Sequence, residues 1–575
     1  MKFRKSQVGA AATAIGAMLL AFGSSAFAEP GPTPYTYKQV TYKDQGQKFD
    51  LLTSSKQMTK EFEPPARAFG SPTAMAVHPD NPRIVVAASI EMRTRTCYLI
   101  VSKDAGQTWR FSKELPAPKD YQYCLNGTAG VPEANLAFGR DGMLYYVRQA
   151  YGDGEGPRDG KSSALLARTS NLGESWQFTL VKNNRNAPAP PGNVSSVTGL
   201  AVDTSGPRDI VYVGYSESFP DAPTDSPLRA APNVMVATST DGGATFGTPV
   251  NLNSLQRPSL EIAGKKYELV FRSGFGAPFL FAHDGVLLAV AGPDLPAADR
   301  PQPPPEAGQG LNPGSWYAYP MPQLMARSTD QGKTFTINPL GDPILAGTGS
   351  YTGMGWTPEG GPRGTMIAVY AATPATSQTI ALADIVMQRS TDSGVTWSSP
   401  LALDDDKPEA HITGFYPQVS VAPNGRIDVA WQDNRETTDY LFDVRYTYST
   451  DGGLTWAKNV KVNDKPLDFN YGISYNSDYR YPVGVGSANS YAIIGWADSR
   501  LATDLTQTQD SFASAVQFEP LPTTKNTTAP YIAAVFGGLV VAGLVLLGAL
   551  QFRKLRGSAP GGGSSRRTSR VPVGA

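Results

Sequence analysis

An eight-residue pattern recurs six times: SKDAGQTW from Ser102, TSNLGESW from Thr169, STDGGATF from Ser239, STDQGKTF from Ser328, STDSGVTW from Ser390 and STDGGLTW from Ser449. Five copies fit Ser-x-Asp-x-Gly-x-Thr-Trp/Phe, and the second carries Thr169, Asn171 and Ser175 in place of Ser, Asp and Thr. The third position (Asp104, Asn171, Asp241, Asp330, Asp392, Asp451) supplies an oxygen that accepts backbone N–H bonds inside a tight turn. Glycine at the fifth takes a positive φ. The flanking hydroxyls bond the turn backbone, and the final aromatic tucks the turn against a sheet. Short apolar runs such as CYLIV and NVMVAT precede the copies. The pattern is therefore a hairpin turn used six times, which sets the class as all-β.

A second pattern alternates with the first. Strand–turn–strand segments such as YPQVSVAPNGRIDVAWQD from Tyr416 begin near Ser71, Glu133, Thr198, Gly276, Gly353, Tyr416 and Tyr481. Successive motif copies lie 67, 70, 89, 62 and 59 residues apart. Repetition at that period reads as a β-propeller of four-stranded blades. Seven first halves favour seven blades, with six as the alternative count. The last unit has a third strand (DSFASAVQFE) but no motif after it, so YTYKQVTYKD near the start of the chain is expected to supply its outer strand. Turns between strands one and two and between strands three and four share one rim. The opposite rim receives the long segments YGDGEGPRDGK, SFPDAPTDSPLRAAP and a Pro-rich stretch over 293–322, to which the 89-residue interval is assigned. Long loops on a rigid scaffold are where binding resides.

The repeated motif resembles the Asp-box, or bacterial neuraminidase repeat, of the sialidase-like β-propellers, and the resemblance spans nearly all of residues 29–518. It implies that the boxes are structural turns away from any substrate pocket. It also implies, for active members, three arginines on the substrate carboxylate, a Tyr–Glu pair and an acid/base Asp. Arginine suits the first role because its planar fork bonds a carboxylate bidentately. The loop-rich face offers Arg148, Arg272, Arg435, Arg480 and Arg500, with Glu217, Asp433, Glu436 and Asp498 and with Tyr416, Tyr440, Tyr475 and Tyr481. The catalytic candidates are Arg272, Asp433, Arg435, Glu436, Arg480, Tyr481, Asp498 and Arg500. WQDNR and WADSR place Asp433/Arg435 and Asp498/Arg500 at equivalent points of two blades, where they also read as structural pairs closing a strand. The family's Arg-Ile-Pro signature is missing: its place reads Ala66-Arg67-Ala68-Phe69-Gly70-Ser71-Pro72. Sialidase catalytic domains have six blades, so the count of seven departs from that pattern too.

The ends predict a surface protein. Lys2, Arg4 and Lys5, an apolar run over 8–22 and Ala26-Phe27-Ala28 form a secretory leader over residues 1–28. A Pro/Thr stalk over 519–530 leads to an uncharged apolar stretch over 531–552, long enough for one transmembrane helix. Arg553, Lys554 and Arg556 open a basic, disordered tail over 553–575, so the positive-inside rule expects a single-pass protein with the propeller outside and the tail in the cytoplasm. An exported domain permits a disulfide between Cys97 and Cys124, the only cysteines, closing a 27-residue separation. By the loop-entropy estimate it contributes roughly 3.5 kcal/mol.

With 50 basic and 50 acidic residues there is no basic excess for a nucleic-acid partner. The acidic run Asp404-Asp405-Asp406 is the one lead towards Ca²⁺, against the plainer reading of a solvated loop. His78, His283 and His411 share no ligand spacing. The expected function is recognition of a glycan or protein by a membrane-anchored propeller through the face opposite the boxes. An exo-acting sialidase-like glycoside hydrolase is the alternative, which arginines converging on one pocket beside a Tyr–Glu contact would favour.

Overall fold

The computed structural model describes residues 37–519, leaving out internal segments among which are 60–67, 125–134, 153–160, 220–232, 272–277, 295–319, 357–364, 373–383, 407–413 and 472–482. The leader, the apolar stretch over 531–552 and the tail lie outside the described residues. Among the described residues no helix is long and apolar enough to cross a membrane.

Seven sheets of four or five strands follow one another along the chain. Their first strands are Ala74–Val77, Asn135–Phe138, Asn193–Asp203, Phe279–His283, Thr352–Trp356, Phe415–Val421 and Gly484–Ala488. Each first strand touches the next, and the seventh touches the first, which closes a seven-bladed propeller. Helix among the described residues is limited to the single turns Arg140–Gly142 and Leu252–Ser254.

The hydrophobic cores lie between blades. One cluster joins blades one and two, another two and three, and so on round to a cluster joining seven and one. Alternate residues of a strand serve different cores: Val86 and Ala88 face blade two, whereas Val85 and Ala87 face blade seven. Both faces of each blade are covered, so the second strands Val85–Glu91, Leu144–Tyr151, Met366–Ala372, Ile427–Asp433 and Tyr491–Asp498 are buried at every residue. That is why apolar residues stand at consecutive positions in these strands, as over Val85–Ala88, Met366–Ala372 and Tyr491–Ala497.

The six motif turns share one hydrogen-bond plan. In the third copy Ser239 Oγ donates to Asp241 Oδ1 (2.7 Å) and accepts from Gly243 N (2.8 Å). Thr245 gives its N–H to Asp241 Oδ1 (2.9 Å) and its hydroxyl to Oδ2 (2.6 Å). The Thr245 hydroxyl and amide hold the Asp241 carboxyl down at about 2. Gly243 has φ +78°, and a Cβ there would meet Leu166 Cδ2 of the preceding blade at 2.6 Å. The fourth position is also left-handed, at Ala105, Leu172, Gln331 and Ser393 as well as at Gly242 and Gly452. Sequence could not show this, because non-glycine residues occupy four of those six sites. The aromatics Trp109, Trp176, Phe246, Phe335, Trp397 and Trp456 all pack into inter-blade cores. An arginine just before three of the motifs reaches the fourth-position carbonyl of the next blade's turn: Arg168 to Gly242 O (2.7 Å), Arg327 to Ser393 O (2.8 Å) and Arg389 to Gly452 O (2.7 Å).

Three readings are corrected here. The seventh blade is completed from the start of the chain, but by Asp50–Leu51 and Lys56–Gln57, both antiparallel to Asp510–Gln517. The expected segment instead lies along two other blades: Lys38–Gln39 runs parallel to Leu401–Ala402, and Thr41–Tyr42 parallel to Thr455–Trp456. The 89-residue interval is shared by a hairpin that the sequence did not reveal, Ser259–Ile262 with Lys265–Glu268. And 293–322 is not all insertion, since Pro320–Ser328 is the third strand of blade four. Cys97 and Cys124 are disulfide-bonded, with Cα atoms 6.0 Å apart, inside the core between blades one and two.

Candidate functional site: the loop face of blades five to seven

Second strands end and third strands begin on the face opposite the motif turns, and Asp433 and Asp498 are the last residues of two second strands. In each case the tryptophan two residues earlier donates to the carboxylate: Trp431 Nε1 to Asp433 Oδ2 at 3.2 Å and Trp496 Nε1 to Asp498 Oδ2 at 3.0 Å. The arginine two residues later turns back onto the same oxygen: Arg435 Nε at 2.8 Å and Arg500 Nε at 2.9 Å. Each guanidinium then reaches the preceding blade, Arg435 Nη1 to Asp405 Oδ1 (2.5 Å) and Arg500 Nη1 to Asp464 Oδ1 (2.7 Å). The motif Trp-x-Asp-x-Arg is thus an inter-blade ion bridge made twice. Burial opposes the charge on Arg435, but Asp433, Asp406 and Asp405 outweigh it and raise the guanidinium further.

Glu436 is half exposed and paired with Arg445 Nη2 (3.0 Å) and Lys461 (3.6 Å), and the Arg445 hydrogen bond holds its carboxyl below the ordinary value. Arg445 also bonds Asp433 Oδ1 (3.3 Å). Glu217 of blade three is paired with Lys182 of blade two at 3.0 Å. Arg148 is fully buried between blades one and two; its Nη2 donates to Tyr121 O (3.2 Å), and burial lowers it to about 10. Tyr416 is half-buried with φ +52°. Arg67, Arg272, Arg480, Tyr440, Tyr475 and Tyr481 lie outside the described residues.

Among the described candidates the arginines therefore do not converge. Arg435 and Arg500 serve successive blade junctions with separate acids, and Arg148 sits at a distant one. Arg435→Ala is expected to lower stability by about 2–3 kcal/mol, because it strands Asp433 and Asp405 in a part-buried site. Urea unfolding at pH 7 reads this, and an unchanged midpoint would contradict the bridge. Charge reversal at Arg435 or Arg500 consequently probes folding, not ligand contact.

A second repeated device lies just outside these bridges and was invisible in sequence. In blade six Val462 N donates to Val444 O (3.0 Å), Val444 N donates to Asn463 Oδ1 (2.8 Å), and Asn463 Nδ2 donates to Asp443 Oδ1 (2.8 Å). In blade seven the same places are taken by Met58, Ser511, Thr59 and Asp510: Met58 N to Ser511 O (2.8 Å), Ser511 N to Thr59 Oγ1 (3.2 Å) and Thr59 Oγ1 to Asp510 Oδ1 (2.7 Å). A donor beyond the fourth strand so reaches one oxygen of an acid near the start of the third. Among the described residues no three His, Cys, Asp or Glu side chains are grouped to hold a metal ion. The acidic run is not a solvated loop either, since Asp404 is buried.

No family model matches the chain, and no curated protein matches it. Solved structures with a similar fold include a Hadza microbial sialidase (13% identity, covering 73% of each chain, TM-score 0.40). The Trypanosoma rangeli sialidase is another (12% identity, 71% of this chain and 56% of that one, TM-score 0.39). A third is a Fusarium graminearum α-L-arabinofuranosidase (14% identity, 69% and 93%, TM-score 0.36). These likenesses concern the fold alone.

Proposed function

We propose that this propeller is a recognition domain that binds a glycan or protein partner through the face opposite the motif turns. In this reading the leader carries it out of the cell and the stretch over 531–552 holds it at the membrane. The observation that supports the reading most is the asymmetry of the two faces. On the motif face strands one and two are joined by connections as short as those from His283 to Val286 and from Ala488 to Tyr491. On the other face Tyr151 connects to Ser163, Ser218 to Asn233 and Asp294 to Pro320. Length is spent where it adds nothing to the closed scaffold, as in other loop-borne binding sites. Arg435 and Arg500, on blades six and seven, are committed to blade junctions, which leaves the loops to meet a ligand.

The test is a glycan array and a cell-lysate pull-down with the wild-type protein and with a variant in which 297–317 is replaced by a short Gly–Ser linker. This replacement keeps the strand pair Val270–Phe271 with Pro293–Asp294, and the strand from Pro320, intact. Binding is expected to fall at least tenfold with an unchanged melting temperature. Equal binding by the two proteins sinks the reading at this loop. Release of a fluorescent aglycone from a sialoside would replace it with an exo-acting, sialidase-like glycoside hydrolase.

A further inference from the structure

Blade five builds the same clamp as blades six and seven, with one member changed. Leu403 N donates to Ile385 O (2.6 Å) and Ile385 N donates to Asp404 Oδ2 (2.8 Å), matching Val462, Val444 and Asn463 of blade six. The acid opening the third strand is Asp384, in the place of Asp443 and Asp510. Where those two acids receive an amide or a hydroxyl donor, Asp384 faces a second carboxylate. Asp384 is 2% and Asp404 3% exposed, and among the described residues Asp384 Oδ2, like Asp443 Oδ2, accepts no hydrogen bond. Two buried carboxylates with no donor between them cannot both stay ionised at modest cost.

The first described segment of the chain lies along the backbone that carries Asp404. Val40 N donates to Ala402 O (2.9 Å), Tyr42 Oη donates to Leu403 O (2.9 Å), and Gln39 Nε2 donates to Asp404 O (3.3 Å) and Asp406 O (3.4 Å). We propose that Asp384 and Asp404 share a proton at neutral pH, and that losing it in alkali loosens the strap over residues 38–42 from blade five.

The charges around the pair agree. The charges of Asp406 and Asp384 act on Asp404, and the Arg435 guanidinium acts against them. Arg435 is already bound to Asp433 and Asp405, and Lys458 lies 4.0 Å from Asp405. Burial, with Asp406 adding to it, raises the Asp384 carboxyl to about 8. Burial, then Asp406 and Asp384, raise Asp404 well above the carboxylate range. Burial raises Asp406 to about 6 against the pull of Arg435. Carboxyl groups raised in the folded state contribute stability that is complete below the unfolded value, about pH 4. It is lost as pH rises through the folded values, here to about 8.

Asp404→Asn installs the blade-six arrangement: the amide oxygen keeps the Ile385 N–H and the amide nitrogen gives Asp384 its donor. The purified full chain is melted from pH 5 to pH 9 with EDTA present, and the exchange of amides 38–42 is followed after correction for intrinsic rates. Wild type is expected to melt progressively lower as pH rises, and its strap amides to lose protection. Asp404→Asn is expected to flatten both trends and to melt a few degrees above wild type at pH 8. Asp384→Asn should flatten them as well, so the inference does not hang on one variant's folding. Asn463→Asp should introduce a new alkaline loss in blade six. Parallel curves for wild type and both neutralised variants overturn the proposal. A melting temperature that millimolar CaCl₂ raises, with the pH slope abolished, overturns it as well and assigns the pair to a cation.

Discussion

Deleting residues 50–59 is expected to lower the unfolding free energy by at least about 3 kcal/mol, whereas deleting 557–575 leaves melting unchanged. The short segment supplies the outer strand of blade seven, and two of its residues carry most of the effect. Met58, 1% exposed, fills the core between blades seven and one. Thr59 gives the fully buried Asp510 a hydrogen bond at 2.7 Å, which the deletion removes. The deletion also bares the edge of Asp510–Gln517, so the variant is expected to aggregate on heating. A shorter deletion, 37–42, spares blade seven and should cost less. Differential scanning calorimetry ranks the three, and equal melting of wild type and the 50–59 deletion would show that blade seven closes without this strand.

Arg426→Ala is expected to cost about 3–5 kcal/mol, the loss that follows when a buried ion is left without its partner. Arg426 is 1% exposed and Asp428 is fully buried. The guanidinium bonds Asp428 Oδ1 at 2.8 Å and Oδ2 at 3.0 Å within blade six. It also crosses to blade seven, donating to Asn489 O (2.8 Å), Ala488 O (2.8 Å) and Tyr491 O (3.0 Å). Tyr446 Oη completes the carboxylate's shell, and the Phe518 ring lies 3.9 Å from the guanidinium carbon. Arg426→Ala strands both Asp428 and the blade-seven carbonyls. Asp428→Asn strands only the guanidinium and should cost less. Urea midpoints of the two single variants and the double variant measure the coupling, and strictly additive losses would contradict a shared network.

The propeller was legible because a hairpin turn is a local event: eight consecutive residues hold all the groups that define it. Blade count was legible for the same reason, since each first half is a single strand–turn–strand segment. The closing strand was misassigned because Lys56–Gln57 offers only two residues and no apolar alternation, while YTYKQVTYKD, whose Tyr37 packs on blade five and Tyr42 in the core of blades five and six, looks more strand-like. Trp-x-Asp-x-Arg was visible as a repeated pattern. Its meaning depended on Asp405 and Asp464, which sit 30 and 36 residues from their arginines. The clamp of Asp384 and Asp404 was hidden further. Asp404 differs from Asn463 and Thr59 only once three fourth strands are set in register, one of them from the opposite end of the chain.

That last strand also sets an order of events. The bond from Thr59 to Asp510 spans 451 positions, and the one from Gln45 to Thr455 spans 410. The early segment that makes them has no local partner to fold against and must wait while the intervening blades are synthesised. Contacts of such sequence separation form slowly, because the chain's loop entropy is lost before they reward it. Until residues 510–517 arrive, the nascent molecule is an open arc with one unpaired margin, and closure is the last cooperative step and the one most exposed to association between copies.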